Sequence, residues 1–283
     1  MILEYANATQ WCDILSLIIP FIPGDSCVNQ LTYLYNFIAK AMDEGKEIRA
    51  VFCDISKAFD RVWHKGLIHK LKSCGISGQL LLWFQSYLED RSQRVVINGY
   101  SSDFKPVLAG VPQGSVLGPL LFLVYINDIV EGIDSNIRLF ADDTSIYVII
   151  DDPTTAATCL NNDLCKIAQW AETWKVDFNP SKTKTVLFSK KLNNTNHPHL
   201  IFRDTQVEET TSHKHLGMTL QKDCSWGTHI DDMVKRVGPM INCLRSFKYR
   251  LTRNCLQQMY SSFILPIFDR SEERRVGKEC RSR

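Results

Sequence analysis

Apolar positions along this chain recur at two spacings, and the switches between them divide it into elements. From Asp25 or Ser26, either a fitting N-cap, the positions Leu31, Leu34, Tyr35, Ile38, Ala41 and Met42 mark one face of a helix that Gly45 stops. Residues 48–55, IRAVFCDI, form a near-continuous apolar run, the pattern of a strand buried on both faces, with Asp54 at its C-terminal end. Two amphipathic helices are expected at 65–74 and 78–89, with Leu67, Ile68, Leu71 and then Leu80, Trp83, Phe84, Tyr87, Leu88 facing inward. A hairpin-like pair at 93–98 and 103–108, turning at 99–102, leads to a loop at 109–115 and an apolar helix at 119–130. Residues 136–150, NIRLFADDTSIYVII, give strand signal on both sides of a turn at 141–144. A long helix at 154–175 follows, with Leu160, Leu164, Ile167, Ala168, Ala171 and Trp174 at helical spacing. Short strands at 185–189, 200–203 and 215–220 precede helices at about 228–247 and 252–265. Strands and helices are mixed rather than strictly alternating, which predicts an α+β fold: a sheet with helices packed on one face. Residues 1–23 show no clean period and are read as a mispredicted segment or a fragment of an upstream region.

The chemistry concentrates where apolar runs end in acids. Asp142 and Asp143 stand side by side at the tip of the 136–150 hairpin. Like charges at that distance raise each other's pKa, so the pair costs stability unless a cation sits between them. Asp is also a favoured turn residue, and an exposed polar turn accounts for the pair equally well. If the strand ending in Asp54 neighbours this hairpin, three carboxylates converge on an all-oxygen site of the kind Mg²⁺ accepts. Carboxylates holding two metals roughly 3.5–4 Å apart serve in-line phosphoryl transfer, one ion activating the attacking hydroxyl and the other the leaving group. No Walker lysine loop and no glycine-rich dinucleotide fingerprint offers a competing phosphate chemistry.

Composition bounds this reading. At 283 residues and 45% apolar the chain can bury a sizeable core. Its ten cysteines are scattered without the paired spacing of a zinc site or redox dithiol, which suggests reduced thiols and an intracellular protein of nucleus or cytoplasm. The most apolar early run, 14–22, is about nine residues and contains Pro20, far short of the roughly 20 that span a bilayer, so neither signal peptide nor membrane anchor is expected. The last fourteen residues, RSEERRVGKECRSR, resemble codon for codon the translation of a common sequencing-adapter oligonucleotide and are set aside from the fold. Without their six Lys/Arg and three Asp/Glu, 27 basic and 28 acidic side chains remain, a net charge of −1. Global basicity is therefore no argument for a nucleic-acid partner, and any such surface is a local groove.

Five short motifs in order then carry a resemblance. Residues 54–60 (DISKAFD), 109–115 (AGVPQGS), 140–143 (FADD), 179–183 (NPSKT) and 215–217 (HLG) resemble the successive motifs of reverse transcriptases. With 25–30 and 120–128 alongside, the set is similar to the jockey-like polymerases of non-LTR retrotransposons in particular. The resemblance implies a right-hand polymerase palm, an antiparallel sheet with helices on one face, with partial fingers and the start of a thumb. It divides the chain into fingers and palm at 24–222, thumb or connection helices at 223–269, and the tail at 270–283.

The resemblance also assigns roles. Asp54 and Asp142 would ligate the catalytic metals, Asp143 would support them, and the Ile55 carbonyl would add a ligand; Mg²⁺ is the expected ion and Mn²⁺ the alternative. Phe59 takes the place of the steric gate that excludes a 2′-hydroxyl, against a reading as a core phenylalanine. Gln113 would reach the sugar of the incoming nucleotide, and Gly114 would let backbone approach the nucleotide pair. Lys182 is the candidate proton donor to pyrophosphate, with Lys184 the fallback and a solvated lysine the plain reading of both. His215, Leu216 and Gly217 would form the primer grip. Asp60 is expected to order the strand-to-helix turn by capping, and Arg91, Arg94 and Lys105 to meet the template backbone. The implied partners are an RNA template, a DNA primer or target and dNTPs, with no membrane. The rival readings are an inactive transposon-derived remnant that binds RNA, and a group II intron-like maturase built on the same palm.

Overall fold

The computed structural model describes residues 26–191 and 196–268. Residues 1–23, Asp25 and the tail at 270–283 lie outside the described residues.

Strand β1 (Glu47–Asp54) is the axis of the molecule. It is flanked by β7 (Asp143–Ile150) and β8 (Lys184–Phe188), both antiparallel to it, with β6 (Asn136–Phe140) beyond β7 and β11 (Glu208–Glu209) beyond β8. The sheet order is β11-β8-β1-β7-β6, and only the β11 pairing is parallel. Because β1 is central, its apolar run is buried on both sides, as its lack of alternation predicted.

The two faces of β1 are covered differently. Val51 and Cys53 point into the larger core, formed with α2 (His64–Ser73), α3 (Gly78–Leu88), α4 (Leu117–Ile126) and α5 (Pro153–Thr173). Helix α4 is apolar all round because it is enclosed, between α2 and the sheet. Helix α5 starts at Asp152, which accepts a hydrogen bond from Thr155 N–H at 2.7 Å, followed by Pro153. Ile48, Ala50 and Phe52 point the other way, with Tyr147, Val186 and Phe188, against Leu34, Ile38, Ala41 and Met42 of α1 (Cys27–Asp43). Four helices thus share one face as expected, and the opposite face carries α1 alone. Ser26 is the N-cap of α1, its Oγ accepting from Asn29 N–H at 3.3 Å.

Three turns differ from the sequence reading. The hairpin of β6 and β7 turns on Ala141 and Asp142 alone, since Phe140 already pairs with Asp143. The outer hairpin consists of two short ladders, β2 (Ser92–Gln93) with β5 (Lys105–Pro106) and β3 (Val96–Ile97) with β4 (Tyr100–Ser101). It turns at Asn98-Gly99, both at positive φ, the Asn-Gly signature of a two-residue loop, instead of at 99–102. Residues 215–220 are two strands, β12 (Ser212–His215) and β13 (Met218–Gln221), joined by Leu216 and Gly217 at φ 48° and 88°. A run of mixed residues hid a turn in which a leucine takes the left-handed conformation. Helices α6 (Gly227–Ser246) and α7 (Arg253–Met259) follow, α6 carrying Pro239 within it.

Inside the larger core, Lys70 is held by a cage. Its Nζ donates to Tyr125 O and to Asp128 Oδ1, each at 2.5 Å, and lies 3.8 Å from the centroid of Trp174 and 4.8 Å from that of Trp170. Burial pushes the ammonium down to about 8 against the pull of Asp128. Lys70→Met removes the cation paired with Asp128, leaving it the Trp170 Nε1–H bond (2.8 Å), and should cost about 2–3 kcal/mol, a fall in Tm of roughly 5–10 °C by calorimetry. Lys46→Ala, which breaks only the exposed pair with Glu44, should leave Tm unchanged.

Candidate active site

The site is assembled around the end of β1. Asp54 and Asp143 are register partners across β1 and β7, so their side chains leave the same face of the sheet about 5 Å apart at the Cα atoms. Asp142 stands beside them in the two-residue turn. Ala141, which makes that turn possible, sits at φ 54°, a conformation that strains any residue with a Cβ. Burial raises the Asp143 carboxyl to about 6, with the charges of Asp142 and Asp54 adding to the shift.

Asp54 Oδ2 is buried and accepts no hydrogen bond among the described residues. Lys182 Nζ lies 3.3 Å from it, close enough for an ion pair but out of line for a hydrogen bond. Carboxylate oxygens with uncompensated charge and an unfilled lone pair fit a hard divalent cation. Among the described residues no group of three His, Cys, Asp or Glu side chains is arranged to hold a metal ion.

Lys182 owes its place to backbone. Asn179 N–H donates to Asp54 O (2.9 Å) and Ser56 N–H to Asp177 O (2.7 Å), an antiparallel bridge centred on Ile55 and Phe178. The flanking residues make both bonds, so the bridge does not occupy the Ile55 carbonyl. Asn179 then caps its own turn: Oδ1 accepts from Ser181 N–H (3.1 Å) and Oγ (2.6 Å), and its carbonyl accepts from Lys182 N–H (3.1 Å) and Thr183 N–H (3.0 Å). Lys184 is elsewhere, paired with Glu208 of β11.

The loop at 109–115 is stitched to the segment after Asp54. Gly110 N–H donates to Val62 O and Val111 N–H to Phe59 O, both at 2.8 Å, and the Gly110 carbonyl meets His64 Nε2 at 2.8 Å. Gly110, at φ 91°, lies so close to Asp60 that a Cβ would sit 2.7 Å from the Asp60 carbonyl oxygen. Gly110 thus makes a close approach within the protein that the sequence reading did not single out, while Gly114, at φ 79°, has open space around it. Asp60 does not cap: its Oδ1 accepts from Gln113 Nε2 at 2.7 Å. A carboxylate offers only acceptors, so the amide must present its NH₂ to Asp60, leaving Gln113 Oε1 outward. Phe59 is half-buried with its ring 4.7 Å from that of Phe122.

On the same face, His215 and Leu216 line one small cavity with Asp143, Phe140 and Gln30. Burial pushes His215 down to about 3 and the neighbouring His213 to about 4, so both rings are neutral. His213, missed in the sequence, stacks on Phe52; its signal was the alternation His213-Lys214-His215, which puts two imidazoles on one strand face. Arg91, Arg94 and Lys105 lie on the outer hairpin and its edge, where Arg94 covers the Phe104 ring at 4.7 Å.

The eight cysteines among the described residues are all free thiols. No helix of the described residues is long and apolar enough to cross a membrane.

Residues 9–220 match the family described as reverse transcriptase (RNA-dependent DNA polymerase). The match takes in residues 9–23, which the sequence reading had left outside the domain. The chain is 33% identical to the RNA-directed DNA polymerase from mobile element jockey of Drosophila melanogaster, over 84% of this chain and 27% of that protein. It is 31% identical to the probable RNA-directed DNA polymerase from transposon BS (88% and 28%) and 32% identical to that from transposon X-element (77% and 24%), both of Drosophila melanogaster. The chain thus spans about a quarter of the length of the relatives it matches. A solved telomerase from Candida albicans, in complex with a fragment of telomeric RNA, covers 95% of this chain and 50% of its own at 12% identity and a TM-score of 0.49, too loose a likeness to carry weight. With a family match running from residue 9 through both acid-bearing strands to Leu220, the chain belongs to the reverse transcriptase (RNA-dependent DNA polymerase) family.

Proposed function

We propose that this chain is the palm, part of the fingers and the first thumb helices of an RNA-directed DNA polymerase from a non-LTR retroelement. It adds dNTPs to a primer 3′-hydroxyl on an RNA template. The observation that carries this reading is the register pairing of Asp54 with Asp143, with Asp142 in the adjoining turn and Lys182 against Asp54. The retrotransposon polymerases among its relatives favour this over an intron maturase, and the intact acids favour it over a remnant that only binds RNA.

The family generally uses divalent metal ions, and here Asp54, Asp142 and the Ile55 carbonyl would hold Mg²⁺ with Asp143 in support. The ion would supply neutralisation of phosphate charge and acidification of the primer hydroxyl. Lys182, beside Asp54, is placed to hand a proton to the departing pyrophosphate. Gln113 Oε1, turned outward by Asp60, offers an acceptor to the sugar hydroxyl of the incoming nucleotide. The Phe59 ring, backed by Phe122, closes the space a 2′-hydroxyl would take.

Primer extension on poly(rA)/oligo(dT) with Mg²⁺ tests the reading: dNTP incorporation is expected, and its absence even when the chain is extended with its flanking regions overturns it. Asp142→Asn should lower incorporation roughly 10³-fold, the value of several kcal/mol of lost charge stabilisation. The same variant should be the more stable protein. An acid whose folded pKa exceeds its ordinary value loses stability as pH rises from about 4 to about 6, and stays penalised above. Removing the Asp142 charge relieves the smaller part of that penalty. Asp142→Asn should therefore melt higher than wild type at pH 7, by under about 1 kcal/mol, with the gap closing near pH 4.

Lys182→Ala should cost roughly 10²-fold in kcat, within the range of general acid catalysis, while Lys184→Ala, its ammonium committed to Glu208, should cost little. Equal losses from the two would reject the assignment. Phe59→Val should raise incorporation of rNTPs relative to dNTPs by about 10–100-fold; an unchanged ratio would return Phe59 to the core.

A further inference from the structure

The β12–β13 hairpin is hydrogen-bonded to the palm at its base only. There Thr210 N–H donates to Thr185 O (2.8 Å) and Ser189 N–H to Lys222 O (2.9 Å), while Lys222 N–H to Thr211 O (2.9 Å) closes the hairpin itself. Its two strands pair with each other and with no strand of the five-stranded sheet. Beyond the base, β13 packs Leu220 and Met218 into the smaller core, and β12 rests on the sheet through rings. His213 stacks on Phe52 with centroids 4.2 Å apart and planes 14° from parallel, and His215 meets the same ring at 5.0 Å and 44°. Phe52 precedes Asp54 by two residues on the same face of β1, so the two side chains are neighbours about 7 Å apart along the strand. One ring therefore supports the hairpin from below and adjoins the acid.

We propose that the Phe52–His213 stack is the spacer that fixes the height of the Leu216–Gly217 turn over Asp54 and Asp143, making His213 a positioning residue for the primer 3′ terminus. The proposal rests on the polymerase reading above. The His213–Phe52 contact, centroids 4.2 Å apart, is the closer of the two ring contacts that tie β12 to the sheet, and His213 lies three residues from Leu216. Removing one ring lets the strand settle or tilt, and the turn at its end moves with it. A shift of 1 Å at a reacting group can cost roughly 10²-fold in rate. The imidazole acts here as a flat ring rather than as an acid or a hydrogen-bonding group, so another flat ring should replace it.

The test compares wild type, His213→Ala and His213→Phe. In primer extension His213→Ala should lower kcat about 10–100-fold while the KM for dNTP moves less than about threefold, because the dNTP contacts lie on the 54–60 and 109–115 segments. His213→Phe should restore kcat to within about threefold of wild type. Hydrogen exchange of the amides at 212–221, without substrate, gives a readout independent of activity: faster exchange at the turn in His213→Ala and wild-type protection in His213→Phe. An active, wild-type-like His213→Ala with unchanged exchange overturns the spacer, as does a His213→Phe as slow as His213→Ala. A wild type that incorporates no dNTP brings down the polymerase reading and the primer role with it, whereas failure of the variants alone leaves that reading standing.

Discussion

Two carboxylates face each other across a pair of antiparallel strands at Asp54 and Asp143, and a third stands beside them in the turn. Nothing in the sheet favours this: the pair is half-buried, Asp143 is held near 6, and an oxygen of Asp54 is buried without a hydrogen bond. The register that imposes it is fixed elsewhere, by eight consecutive pairs from Glu47–Ile150 to Asp54–Asp143. Their apolar members fill two cores at once. A slip of one residue would turn Val51 and Cys53 out of the helix-covered core and Ile48, Ala50 and Phe52 into it. The hydrophobic arrangement therefore outweighs the electrostatic penalty, and the penalty is concentrated at the one end of the strand where a cation can relieve it.

The loops around this point are tied to backbone rather than to the acids' side chains. Asn179 binds the Asp54 carbonyl, Val111 the Phe59 carbonyl and Gly110 the Val62 carbonyl. Residues 54–62 thus act as a spine from which the lysine loop and the glutamine loop are both suspended. Side chains along the spine, Asp54, Phe59 and Asp60, are left free to meet ligand or to orient Gln113. Such an arrangement separates assembly from chemistry, since the geometry of the site survives replacement of an acid that it positions.

Much of this was legible in the sequence, and the rest failed for physical reasons. The central strand was readable because a run without alternation has to be buried on both faces. The helices at 64–88 and 153–173 were readable from apolar periodicity. Residues 215–220 misled because Leu216 adopts φ 48°, a conformation its residue type does not advertise, so a turn looked like a strand. The outer hairpin carried its signal plainly in Asn98-Gly99, but neighbouring polar residues at 100–102 drew the turn too far along. The acids could be located at strand ends but not paired, because the register belongs to the whole sheet. Asp60 and Gly110 could not be understood separately: one is close to the other only after the loop folds back.

The two faces of the sheet explain why the site opens where it does. The helix-covered face is closed by Leu67, Leu121, Leu160, Leu164 and Ile167, and of its buried charges Lys70 is caged by Tyr125 O and Asp128 while Asp163 accepts from the Asp134 and Ser135 amides. The opposite face has a smaller core under α1 and a hairpin whose strands pair with no strand of the five-stranded sheet. Asp54 and Asp143 emerge on this second face, beyond the last apolar pair, where the core has already ended. This face brings together the Asp54–Asp143 carboxylates, a lysine positioned by backbone and the strained Ala141 turn. On the second face the core ring nearest the acids is Phe52, two residues from Asp54 on the same side of β1, whereas Phe188 lies opposite Ile48 toward the other end of the strand.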